Sequence, residues 1–382
     1  MIDFGVTAAE FRARHLERSP YCKRGAVSER PFDWRMLDEL LHHIEPTPAM
    51  MQMIHDGVVP QEQYVEDVVD LGMQRRVLNK NRFYALLQNG ATLVTNRLEL
   101  HSVAASRACA EIGRFVGQTT LCNSYLSFGG PGSFGKHWDT HDVFALQFIG
   151  SKRWQVFAPT LNHPLSHQTS NVMPPASEPP VLEIVLNRGD MLYIPRGWWH
   201  QVFPLQQASF HLSIGAYLPT VHDFITWACN RLLPQREAAR RGIGGAADVP
   251  RDVAAALQFL GEALRTPAHL EEFLQQLAGR QHLSADFNLG LMADPASSGL
   301  AGSAGLRLTS RSAVRFEAGE MSFNGERLAL DRVTQEIVLA IANNDACTVE
   351  GVCQKLKKPA REEVHARILE LAKRDIVSID AA

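Results

Sequence analysis

The chain has 382 residues, 45% of them hydrophobic and 21% charged, and its Lys+Arg 38 against Asp+Glu 41 leave a formal net charge of -3. That composition excludes disordered and fibrous classes, and the near balance of charge gives no sign of a polyanion partner such as bare nucleic acid. No apolar run approaches the ~20 residues of a membrane-spanning helix, no basic stretch leads into an apolar core at the start, and Cys22, Cys109, Cys122, Cys229, Cys347 and Cys353 form no Cys-x-x-Cys, so a cytoplasmic, reducing setting without a membrane partner is expected.

In chain order, Ala8–Arg18, Trp34–Ile44, Val68–Gln88 and Ser102–Val116 carry apolar residues at three- and four-residue spacings, which predicts helices. The texture then changes. Cys122–Phe128, Val143–Phe148, Arg153–Phe157, Leu182–Leu186, Met191–Ile194 and Phe210–Tyr217 are short, aromatic and β-branched, and Gly, Pro, Asn and Asp separate them. That is the pattern of an all-β barrel or double-sheet roll. The Pro-rich Met173–Pro180 reads as an excursion between two strands. Beyond Pro219 the predicted elements are helices, His222–Arg241 and Asp252–Gln276, the second with Val253, Leu257, Leu260 and Leu264 on one stripe. Arg241–Pro250 is a flexible connection, and Ala293–Gly305, rich in Ala, Ser and Gly, is a linker. Short strands at Leu306–Leu308, Val314–Phe316 and Met321–Phe323 precede helical patterns at Arg332–Ala342, Thr348–Lys355 and Arg361–Arg374 and a last strand, Ile376–Ile379. Helices followed by a strand in that order resemble a winged helix.

The pattern that carries chemistry is His137-Trp138-Asp139 followed at a distance by His200, behind Gly189-Asp190-Met191-Leu192-Tyr193-Ile194-Pro195-Arg196-Gly197-Trp198-Trp199. In an extended strand, residues two apart share a face, so His137 and Asp139 can hold one metal side by side. Two imidazoles and one carboxylate on one face of an ion leave coordination positions open, the arrangement suited to non-haem Fe(II) oxygen chemistry. His141 is a tempting fourth ligand, but three protein ligands already complete that set. Gly129–Gly135 lacks the Gly-Lys-Ser/Thr ending and the following helix of a phosphate loop, and reads instead as a flexible lip over a site mouth. Of Trp198 and Trp199, at least one is expected to shape the wall near the metal.

KHWDTHDVFALQFIGSKRWQVF together with GDMLYIPRGWWHQVF resembles the JmjC branch of the cupin superfamily, the 2-oxoglutarate-dependent oxygenases. The order of parts resembles the ribosomal oxygenases within that branch, and Phe11-x3-His15 with Lys23-Arg24-Gly25 looks like their opening segment. The resemblance implies an α+β chain. Residues 1–219 would be a double-stranded β-helix (jelly-roll) catalytic domain with a helical N-terminal part. Residues 220–292 would be a helical dimerisation region, 293–305 a linker and 306–382 a winged-helix-like domain. It also implies Fe(II) at His137, Asp139 and His200, with 2-oxoglutarate and dioxygen as cosubstrates. Lys152 matches the basic residue that pairs with the distal carboxylate of 2-oxoglutarate, and Tyr125 matches a tyrosine that commonly helps it. Bacterial members often carry Arg and Ser at these two places. Arg153 would point to the opposite strand face from Lys152. Asn123 and His211 are expected to line the same cavity, with a satisfied core histidine as the alternative for His211.

The resemblance further implies hydroxylation of an Arg or His side chain of a protein substrate, a large-subunit ribosomal protein, by a homodimeric enzyme. The competing readings keep the oxygenase chemistry for a small molecule or a methylated protein, or make the chain a non-catalytic cupin sensor fused to a winged-helix regulator. Direct DNA binding is not expected: from Asp331 onward acids slightly outnumber Lys and Arg, and Glu362, Glu363 and Glu370 interrupt the helix that would read the groove.

Overall fold

The structure, a computed structural model, describes residues 2–380 apart from 30, 131, 133, 176–177, 244–247, 280–286, 290–292, 294–299, 310–313, 315, 318, 324–325 and 344–347. Residues 294–299 of the expected linker 293–305 therefore lie outside the described residues, as does Cys347. The chain divides into two units, one containing Met1–Tyr217 and one containing Leu218–Ser284, Asn288–Ser310 and Val314–Ala382. No helix among the described residues is long and apolar enough to cross a membrane.

The first unit opens with α1 (Ala8–Arg14), set by a reciprocal capping box in which the Glu10 amide donates to the Thr7 side chain and the Thr7 amide to the Glu10 carboxylate. There follow β1 (Tyr21–Lys23), α2 (Trp34–His43), β2 (Met51–Ile54) and β3 (Val58–Val59). The expected helix over Val68–Gln88 is largely absent. β4 (Val65–Asp70) and β5 (Met73–Leu78) instead form a hairpin in register from Val65↔Leu78 to Asp70↔Met73, and only α3 (Lys80–Gln88) is helical. Leu71 and Gly72, between the strands, have φ of 48° and 78°, the left-handed pair of a type I′ turn whose twist suits paired strands. Clustered valines satisfy a helical spacing and a strand spacing alike, and here the Gly72 turn decides.

After β6 (Thr92–Thr95), α4 (Val103–Val116) and β7 (Thr119–Ser127) come β8 (Asp142–Ile149), β9 (Lys152–Phe157), β10 (Leu182–Leu186), β11 (Met191–Ile194), β12 (Trp199–Pro204) and β13 (Ser209–Tyr217). Eight strands pair in the order β1-β11-β8-β13-β7-β6-β2-β3, and three in the order β10-β9-β12. Alternation along each strand assigns its two faces. Phe144, Leu146 and Phe148 of β8 join a core with Phe11, Ile112 and Val116 from the helices. Val143 and Ala145 face the other way, into a second core with Trp154 and Val156 of β9 and Leu192 and Ile194 of β11. Strands buried on both faces read as continuous apolar runs, which is why β8 and β11 are evident from sequence. The result is a helical layer, a large sheet and a small sheet, the double-stranded β-helix of a cupin.

In the second unit, α5 (Val221–Arg231) and the short α6 (Glu237–Arg240) replace the single helix expected over His222–Arg241. The helix expected over Asp252–Gln276 is two, α7 (Val249–Arg265) and α8 (Pro267–Gly279), because Pro267 removes an amide donor and restricts Thr266 to extended backbone. Ala228, Leu232 and Ala263 are buried together, with Leu260 and Leu264 against them. β14 (Gly305–Leu308) pairs with the terminal β18 (Val377–Asp380), and β15 (Phe316–Glu317), β16 (Glu320–Phe323) and β17 (Glu326–Ala329) form a small antiparallel sheet. Between β17 and β18 run α9 (Arg332–Ala342), α10 (Val349–Lys355) and α11 (Arg361–Lys373) around a core that includes Ile337, Val352 and Ile368.

Candidate metal centre

His200 sits on β12, but His137 and Asp139 do not lie on a strand. His137 makes an isolated two-way bridge to His200, its amide donating to the His200 carbonyl at 3.1 Å and the His200 amide donating back at 2.7 Å. The bridge takes over the role that a shared strand face was expected to play. The turn before β12 adds a third tie, the Gly197 amide donating to the Asp139 carbonyl at 2.9 Å. One ligand atom from each of His137, Asp139 and His200 lies within 4.8 Å of the others, and His200 Nε2 is 3.6 Å from Asp139 Oδ2.

The hydrogen bonds on the far side of each ring decide what the near side offers. His137 Nδ1 donates to the Gly135 carbonyl at 2.9 Å and His200 Nδ1 to the Trp198 carbonyl at 3.2 Å. A carbonyl can only accept, so each ring carries its proton on Nδ1 and presents the Nε2 lone pair to the cluster, the tautomer a metal requires. Burial, with His137 next, pushes the His200 imidazolium down to about 4, so the ring is neutral at ordinary pH. Burial pushes the Asp139 carboxyl up, but His200, His141 and His137 outweigh it and hold the group below its ordinary value. The neutral His200 ring, His137 beside it and an ionised carboxylate are the donor set of a divalent ion.

The cluster opens into a cavity of about 350 Å³. Strand alternation places the other expected residues there. Asn123 and Tyr125 leave β7 on one face, and β13 pairs in the register Ser213↔Asn123 and His211↔Tyr125. The Tyr125 and His211 rings therefore stack, centroids 4.9 Å apart and 8° from parallel. Lys152 and Trp154 enter from β9, while the intervening Arg153 turns outward to Glu183 at 3.5 Å and lies over the Phe203 ring.

Lys152 is the feature that most needs a ligand. Its side chain is buried, and burial alone pushes the ammonium down to about 7, with no described carboxylate acting on it. His211 Nδ1 and Trp154 Nε1 are buried without a hydrogen-bond partner among the described residues. A cation and two polar nitrogens left in this state cost free energy unless a ligand completes them. A small carboxylate fits this donor set.

One reading changes. Neither Trp198 nor Trp199 lines the cavity. Trp199 is buried with Trp138 and Phe157, its Nε1 donating to Thr160 Oγ1 at 2.9 Å, and Trp154 forms the wall instead. For Trp199 the reason is parity, since His200 faces inward and Trp199 therefore faces away. Trp198, on the turn before β12, packs against the core that holds Val143 and Val156. His141 lies outside the metal cluster and stacks on Tyr217 at 4.7 Å, where both line the cavity. In the glycine-rich lip, Phe134 lines the cavity and meets Tyr125 edge-on at 5.7 Å, while Pro131 and Ser133 lie outside the described residues. Sequence reasoning missed Arg97, whose φ of 53° is unusual for a side-chain-bearing residue. The Arg97 amide donates to Asn123 Oδ1 at 3.2 Å, and its Nε donates to the buried Glu99 at 2.6 Å. No motif marks it.

Residues 99–224 match the family model described as JmjC domain. The bifunctional lysine-specific demethylase and histidyl-hydroxylase NO66 of Drosophila persimilis is 28% identical over 225 residues, which is 56% of this chain and 30% of that protein. Ribosomal oxygenase 1 of Gallus gallus is 32% identical over 133 residues, 34% of this chain and 22% of that protein. The aligned part thus spans less than a third of the length of these relatives. A solved structure of the Escherichia coli ribosomal oxygenase YcfD in complex with cobalt and 2-oxoglutarate superposes with a TM-score of 0.61 at 18% identity, covering 100% of this chain and 100% of that chain. At that identity the likeness shows the fold.

Proposed function

We propose that this chain, which carries a JmjC domain over residues 99–224, is an Fe(II)- and 2-oxoglutarate-dependent dioxygenase that hydroxylates an Arg or His side chain of a protein of the large ribosomal subunit. One observation carries the reading: a metal triad and a buried lysine without a described counter-ion share one cavity. Fe(II) held by His137, Asp139 and His200 supplies dioxygen activation coupled to loss of carbon dioxide from 2-oxoglutarate. The cosubstrate becomes succinate, one oxygen atom goes to it and the other to the substrate C–H. The protein's own residues do the rest. Lys152 Nζ and the Tyr125 hydroxyl hold the distal carboxylate, Asn123 hydrogen-bonds Tyr125 and orients it, His211 Nδ1 gains its missing partner, and Trp154 keeps water from the metal side.

Comparing ribosomal proteins from cells with and without this gene by mass spectrometry should show one peptide heavier by one oxygen atom only when the gene is present. Identical peptides in the two samples would remove the ribosomal substrate and favour a small-molecule oxygenase.

The second unit fits the same plan, α9 to α11 with β14 and β18 as a winged-helix-like domain and α5 to α8 as a homodimerisation surface. Leu260 and Leu264 pack inward, yet Val253 and Leu257 of the same stripe are 48% and 62% exposed, an apolar face suited to a second copy. Light scattering at micromolar concentration should give twice the chain mass, and the monomer mass would refute the dimer. The bases of α11 support a role other than gripping DNA: Arg367 pairs with Asp331, Arg374 with Glu370, and Arg361 with Glu350.

A further inference from the structure

The turn Pro195–Trp198 touches two of the three metal ligands, and part of its own support comes from outside the barrel. Gly197 donates to the Asp139 carbonyl, and the Trp198 carbonyl accepts from the His200 ring. Just before those ties stands Arg196, 10% exposed at its side chain. Its amide donates to Asp142 Oδ1 at 2.9 Å, and its Nη2 lies 2.5 Å from Glu17 Oε1. Tyr193 closes the circuit, its hydroxyl donating to Asp142 Oδ2 at 2.8 Å and accepting from the Glu17 amide at 2.8 Å. Glu17 itself has φ of 57°, a strained conformation for a residue with a side chain. Its carbonyl accepts from His163 Nε2 at 3.2 Å. A β-carbon on Gly197, whose φ is 83°, would meet the Leu161 carbonyl at 2.5 Å, so the turn is confined from that side also.

We propose that Glu17, Asp142 and Arg196 are positioning residues of the metal centre, a brace through which the segment preceding the barrel sets the spacing of Asp139 and His200. The inference rests on the metal reading above. Four chain segments must be in register for the circuit to close: residue 17, the start of β8, the end of β11 and the turn. The links through Tyr193 and Asp142 are hydrogen bonds of fully buried side chains, which hold direction more strictly than apolar packing does. The Glu17–Arg196 ion pair, its acid 30% exposed, joins them at the edge. An ion pair that served stability alone would be replaceable by apolar groups of similar size. A brace would not be, because its direction matters.

The test is a Co(II) titration of the metal-free full chain, followed by visible absorption, for wild type, E17A and the charge-free pair E17Q/R196M, with thermal melting of each. E17A leaves the guanidinium without its acid and is expected to melt lower, while E17Q/R196M should melt close to wild type. Both should bind Co(II) about 10-fold more weakly, the lower end of what outer-shell partners of metal ligands cost, and R196K should restore part of the loss. A wild-type chain that binds no Co(II) would remove the metal reading itself. Wild-type affinity in E17Q/R196M would overturn the brace, as would failure of both E17A and E17Q/R196M to melt cooperatively, which would make the circuit purely structural.

Discussion

Replacing His200 with alanine will abolish Co(II) binding in the cavity and reduce Fe(II)-dependent consumption of 2-oxoglutarate to background. The other two ligands cannot compensate. Asp139 supplies charge, but His137 is placed by its bridge to the His200 backbone rather than by a strand of its own. Alanine keeps that backbone bridge, so the fold should persist and the loss should be chemical. Outer-shell changes cost about 10–100-fold in metal affinity, and loss of a ligand should exceed that range. A His200→Ala chain that still gives the wild-type Co(II) spectrum would place the metal elsewhere.

Lys152→Met will raise the apparent KM for 2-oxoglutarate by roughly 10- to 150-fold, the equivalent of losing a hydrogen bond to a charged group worth about 1.5–3 kcal/mol. The same variant should melt at a higher temperature than wild type when no cosubstrate is present. The sign follows from linkage. Burial lowers the ammonium from 10.5 to about 7, so the folded state is penalised in full below about pH 7, and the penalty fades as pH rises towards the unfolded value. The gain in melting temperature should therefore be largest below pH 7 and vanish near pH 10. Binding has the opposite dependence. Above pH 7 the free lysine is neutral and must take up a proton to meet the carboxylate, so wild-type affinity should fall with rising pH while that of Lys152→Met stays flat. An unchanged KM would show that Arg97 or another group holds the cosubstrate.

What the sequence revealed depended on how much of each signal was local. β8 and β11 are buried on both faces, and their apolar runs are plain. That Lys152 and Arg153 point to opposite faces follows from strand parity, and the resemblance says which of the two faces inward. β12 escaped because its inward residues include His200 and its outward ones face solvent in part, so no apolar alternation marks it. The β4–β5 hairpin escaped because its valines fit two periods, and the turn that separates them depends on positive φ at Leu71 as well as Gly72. His137 and Asp139 were found for a reason only half right: the spacing matters, but a bridge to His200 places them. Arg97 and Glu17 had no sequence signal at all, since each acquires its role through partners far along the chain, Asn123 for one and Tyr193 and Arg196 for the other.

The central claim is that this cavity couples a metal to the decarboxylation of 2-oxoglutarate. Its most direct test is to incubate the purified chain with Fe(II), dioxygen and 2-oxoglutarate and to follow succinate by nuclear magnetic resonance, with ribosomal proteins present and absent. The account predicts succinate formation that requires Fe(II), rises when ribosomal proteins are added and disappears in His200→Ala. Succinate formation at the same rate in the wild-type and His200→Ala chains, or none from the wild type under any of these conditions, would contradict it.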